Sequence, residues 1–108
     1  MEQLKINEKN GANYVLYELI GSLTSFTISE IQEKVYDAVQ KQNVILDLGA
    51  TSKLDSTGMG MIFSAFNEAE EAGNVLYIMH PSLEARRVMD ATGFTESFSI
   101  IYSVTEVI

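Results

Sequence analysis

The sequence predicts an α/β fold: a small mixed β-sheet of about 4–5 strands packed with about 3–4 α-helices. Three observations carry that expectation. Val44–Leu48 and Val75–Met79 are almost wholly apolar without alternation, the sign of strands covered on both faces. After each of them apolar residues recur at helical intervals. A stretch of strand formers near the amino terminus follows a turn signal, which reads as a hairpin and makes the sheet mixed.

The elements follow in chain order. Leu4–Ile6 is a short apolar stretch, Asn10-Gly11 a turn signal, and Tyr14–Ile20 a run of strand formers. Thr27-Ile-Ser-Glu30 has the spacing of a capping box, and Ile28, Ile31, Val35, Ala38 and Val39 follow it, predicting a helix from near Thr27 to near Lys41. The strand Val44–Leu48 comes next. A helix then begins after Asp55 or Ser56, with Met59, Ile62, Phe63, Phe66 and Ala69 as its apolar stripe, Glu68, Glu70 and Glu71 facing away, and Gly73 as its stop. Val75–Met79 forms another strand, and Pro81-Ser82 opens a helix carrying Leu83, Ala85, Val88 and Met89 up to Gly93. This order implies a right-handed parallel crossover. Ser99–Tyr102 reads as a short edge strand and Val104–Ile108 as a final turn or helix.

Composition bounds the function. A chain of 108 residues is one domain, 1–108, and 46% hydrophobic with 20% charged residues is globular composition. The net charge of −8 argues against nucleic-acid binding, which needs clustered cations; only Arg86 and Arg87 are adjacent. With no cysteine and one histidine, thiolate chemistry is excluded and a multi-ligand zinc site disfavoured, so no metal or cofactor is expected. Met1–Lys5 lacks the order of a secretory signal and no apolar run is long enough to span a bilayer, so the expected location is the cytoplasm and no membrane contact is foreseen.

Leu54-Asp-Ser-Thr-Gly-Met-Gly60 is the most informative segment. Asp55, Ser56 or Thr57 can cap the helix that starts there, satisfying N–H groups that lack intrahelical partners. Gly58 and Gly60 each weaken its first turn by about 0.5–1 kcal/mol relative to Ala, which suggests that something approaches the backbone closely.

Val44–Leu48 with this segment resembles the STAS domains of bacterial anti-sigma factor antagonists, whose pattern is an apolar strand followed by Asp-Ser-Ser/Thr-Gly-Leu-Gly. Gly21-x-Leu23, Pro81, Thr92-Gly-Phe94 and Phe98-x-Ile100 match as well, so the resemblance covers nearly the whole chain. It implies a STAS-like domain in which Ser56 accepts a phosphoryl group. The implied partners are an anti-sigma factor with serine kinase activity, bound by the unphosphorylated protein so that a sigma factor is released, and a serine phosphatase that resets the switch. The implied partner-binding residues are Asp55, Ser56, Thr57, Gly58, Met59, Gly60 and Thr24. Thr24 departs from the family, which commonly carries Asp there. Asp55 is read as a cap or a partner contact, and Met59 as core or, with Met61, an adaptable apolar contact.

Two other readings stand beside this one. A hydrolase using Ser56 as nucleophile and His80 as base lacks the Gly-x-Ser-x-Gly elbow, so no enzyme and no catalytic residue is expected. A STAS scaffold or small-ligand or anion-binding module without a phosphoswitch keeps the fold and changes the function.

Overall fold

A computed structural model describes residues 2–107. Met1 and Ile108, the two ends of the segments read above as a non-secretory start and a final turn, lie outside the described residues.

The hairpin is longer than the sequence suggests. β1 (Leu4–Asn10) and β2 (Tyr14–Leu23) pair antiparallel from Leu4↔Gly21 to Asn10↔Val15, and the Gly11 N–H donates to the Tyr14 carbonyl at 2.9 Å. The helix expected from Thr27 to Lys41 is divided. A 3-10 turn spans Ile28–Glu30, Ile31 breaks the helical path with φ −126°, and α1 runs only over Gln32–Val39. The capping box does not form: the Thr27 hydroxyl turns inward, donating to the Ser22 carbonyl at 2.7 Å and accepting from the Thr24 N–H at 3.0 Å. A buried hydroxyl must find partners, and two lie within the preceding turn.

β3 (Asn43–Asp47) and β5 (Leu76–Met79) lie parallel and adjacent, and β2 pairs parallel with the other side of β3. Val44, Ile45, Leu46, Leu76, Tyr77 and Ile78 are all buried, as their continuous hydrophobicity implies. Alternate residues serve two clusters: Val44, Leu46 and Leu48 join the main core with the helices, whereas Ile45 packs with Leu16, Tyr77 and Ile101. β6 (Ser99–Ile101) forms the edge beyond β5, giving the order β1-β2-β3-β5-β6. Six strands and three α-helices, with three 3-10 turns, make up the described sheet and its covering layer.

The strand that sequence reasoning missed is β4 (Thr51–Leu54), which pairs parallel with the end of β2. Its register shifts between Gly21 and Ser22, where β2 leaves β3 for β4. Gly21 makes this possible, because its φ is +105° and a Cβ there would stand 2.5 Å from the Gln3 carbonyl oxygen. The Thr51 hydroxyl donates to the Leu19 carbonyl at 2.7 Å, fixing the start of β4. β4 then hands the chain to α2 (Ser56–Glu71), and α3 (Leu83–Ala91) packs against β4.

Candidate functional site

The end of β4 and the start of α2 form the candidate site, and Asp55 organises it. Asp55 is extended (φ −109°, ψ −176°) and caps α2: its Oδ1 accepts from the Gly58 N–H at 2.9 Å. Its Oδ2 accepts from the Ser25 N–H at 3.0 Å, so one carboxylate ties the helix to the turn after β2. Burial pushes the Asp55 carboxyl upward in pKa, but the N–H groups of Gly58, Ser25 and Thr57 outweigh that and hold it below its ordinary value. It is therefore an anion at neutral pH. No cation neutralises it: among the described residues the ion pairs are Lys53–Glu2, Arg86–Asp90 and Arg87–Glu84.

Ser56 is the first residue of α2 and is exposed, as is Thr57. The Ser56 hydroxyl enters no hydrogen bond with the described residues, so it points a free nucleophilic oxygen at solvent. It stands at the first turn of a sixteen-residue helix, where partial positive charge favours an anion.

The other residues of the motif divide by depth. Gly58 and Met59 are buried and Gly60 is exposed. The close approach expected at Gly58 comes from within the protein: a Cβ there would collide with the Leu23 carbonyl oxygen and meet Leu54 Cδ1 at 2.8 Å. At Gly60 a Cβ would find nothing within 4 Å, leaving that backbone open to an outside molecule. Met59 belongs to the core, together with Met61. Thr24, with 2% of its surface exposed, also lies beneath the surface. Its hydroxyl donates to Glu2 Oε1 at 2.8 Å, so a carboxylate does stand at this position, supplied by the segment before β1. A molecule resting on this face therefore meets Asp55, Ser56, Thr57 and Gly60, while Thr24 and Gly58 lie beneath them and Met59 reaches from the core to the wall of the adjoining groove.

Beside Ser56 a groove of about 380 Å³ runs between the start of α2 and the end of α3, lined by Leu54, Asp55, Ser56, Met59, Gly60, Phe63, Val88, Ala91 and Thr92. Sequence reasoning placed Phe63 and Val88 only in helix stripes; no local signal marks a groove made by two helices far apart in the chain. Phe94 stands edge-on to Phe63, with ring centroids 5.7 Å apart.

His80 is not part of this arrangement. It follows β5 in the left-handed region (φ 53°), its N–H donates to the Ile101 carbonyl at 2.9 Å, and its ring stacks edge-on to Tyr102 at 5.9 Å. Among the described residues no cluster of three or more His, Asp or Glu side chains is placed to hold a metal ion, and no helix is long and apolar enough to cross a membrane.

The family model of the STAS domain matches residues 3–107. The chain belongs to the STAS-domain family. Solved STAS-type structures share its architecture. The anti-sigma factor antagonist SpoIIAA in its unphosphorylated form superposes with a TM-score of 0.76 at 20% identity, over 96% of this chain and 90% of that one. SpoIIAA, the Bacillus cell fate determinant, in its phosphorylated form gives 0.73 at 20% identity, over 96% and 94%. An anti-sigma factor antagonist from Mycobacterium paratuberculosis gives 0.79 at 15% identity, over 96% and 90%. At such identities the likeness establishes the STAS fold and nothing finer.

Proposed function

We propose that this STAS protein is an anti-sigma factor antagonist. Its unphosphorylated form binds an anti-sigma factor with serine kinase activity in the cytoplasm and thereby frees a sigma factor, and phosphorylation of Ser56 ends that binding. The observation that carries this reading is a free, exposed hydroxyl at the first turn of α2, at the mouth of an apolar groove. Structural relatives described as anti-sigma factor antagonists, one of them solved in a phosphorylated form, support it.

The chemistry asks little of this chain. Ser56 supplies the attacking oxygen; the partner brings nucleotide, Mg²⁺ and a base to take the hydroxyl proton, since phosphoryl transfer depends on positioning and charge neutralisation. The product adds about −1.5 to −2 charge beside the ionised Asp55. The helix terminus tolerates that charge, but an interface closing over the groove does not, because the dianion must be desolvated. A loss of about 2.7 kcal/mol weakens binding roughly a hundredfold, which is enough for a switch. A serine phosphatase restores the binding form.

The test uses the purified anti-sigma factor kinases of the source organism. Ser56→Ala should bind one of them yet take up no phosphate, with Thr57 unmodified in the wild type by peptide mapping. Ser56→Asp should bind it roughly a hundredfold more weakly. Equal binding by wild type and Ser56→Asp would favour a STAS scaffold or ligand-binding module instead.

A further inference from the structure

Phe26 is 77% exposed, and its ring has no aromatic partner among the described residues. A lone exposed apolar side chain on a loose loop needs no explanation. Phe26 is not on a loose loop. The Thr27 and Ile28 N–H groups donate to the Thr24 carbonyl at 3.0 and 2.9 Å, and the Phe26 N–H donates to the Thr24 hydroxyl at 3.3 Å. The Ser25 N–H is held by Asp55 at 3.0 Å, and Thr24 and Thr27 are both buried. Every backbone donor from Thr24 to Ile28 is thus engaged, and the turn that carries Phe26 is bound to the residue immediately before Ser56.

An aromatic ring on a fixed backbone loses little freedom when it docks, and such rings supply a large share of the affinity in protein interfaces. Resting on the reading of Ser56 as a kinase target, we propose that Phe26 is the apolar anchor by which that kinase docks, its ring entering an apolar pocket rimmed by lysine or arginine side chains. Charge argues for the basic rim and against a second copy of this chain. The protein carries a net charge of −8, and Asp55 beside Ser56 has no cation of its own. Two copies meeting on this face would set like charges together.

The experiment measures Ser56 phosphorylation by the source organism's purified anti-sigma factor kinases, supplied with ATP and Mg²⁺, for the wild type, Phe26→Ala, Phe26→Leu and Leu83→Ala. Leu83 is 92% exposed in the first turn of α3, whose opposite end lines the groove, so it controls for loss of apolar surface away from Ser56. Phe26→Ala should raise KM about tenfold or more with kcat little changed, as expected of an interface anchor. Phe26→Leu should recover part of the loss, Leu83→Ala should match the wild type, and p-benzoylphenylalanine at position 26, but not at position 83, should crosslink to the kinase. A wild-type KM for Phe26→Ala, or an equal effect of Leu83→Ala, overturns the anchor while leaving Ser56 as the target. Failure of every kinase to label wild-type Ser56 removes both readings together.

Discussion

Asp55 uses its two carboxylate oxygens on two different elements, one N–H from α2 and one from the turn after β2. Replacing it with Ala removes the helix cap and that link at once, and should lower stability by about 1–2 kcal/mol in urea unfolding at neutral pH. The pH dependence has a definite sign. Because the native state holds the carboxyl below its ordinary pKa, the unfolded chain binds the proton first as pH falls. The stabilisation is present in full above the ordinary carboxylate pKa and is lost as pH falls through the native value. The gap between wild type and Asp55→Ala should therefore narrow below about pH 4, and a gap constant with pH would mean that the charge contributes nothing. Asp55 and Ser56 were legible in the sequence because a cap and the residue after it depend on a few neighbouring positions. The depth of Thr24 was not, since its partner Glu2 lies on a different segment and no periodicity connects them.

The same contrast holds for whole elements. β3 and β5 announce themselves by continuous hydrophobicity, and α2 by a stripe that ends in core positions. β4 has only four residues, with Ser52 and Lys53 exposed, and is a strand because β2 changes partner at Gly21. No local pattern encodes a partner change. α1 lost its expected first turn for a related reason, as the Thr27 hydroxyl donates to the Ser22 carbonyl of β2 and accepts from the Thr24 N–H instead of from the helix N–H groups. The two glycines of α2 turn this packing into a paired prediction. Gly58→Ala gains helix propensity but drives a Cβ into the Leu23 carbonyl, backbone that cannot swing aside, so it should cost about 1–3 kcal/mol net. Gly60→Ala meets open space and should stabilise by up to about 1 kcal/mol. Urea unfolding of the two variants should give opposite signs; a shared sign would mean that β2 does not press against α2 as described.

At the scale of the whole molecule, charge is the property that reaches furthest from the site. The chain carries 15 acidic and 7 basic residues, and a field of one sign speeds encounter with a partner of the other. That field is screened over about 10 Å at 0.1 M salt, whereas contacts made inside a closed interface are screened much less. Raising NaCl from about 50 to about 500 mM should therefore slow association with the proposed kinase partner severalfold or more and change dissociation little. Ser56→Asp adds one negative charge to a net −8, so its association rate should fall with salt at nearly the wild-type slope while its dissociation is faster. That pattern would assign the proposed switch to the closed interface, where the added anion is desolvated, and not to long-range repulsion. Were Ser56→Asp instead to slow association with an altered salt slope and leave dissociation unchanged, the new charge would be acting at a distance, and the account of an anion buried against the groove would fail.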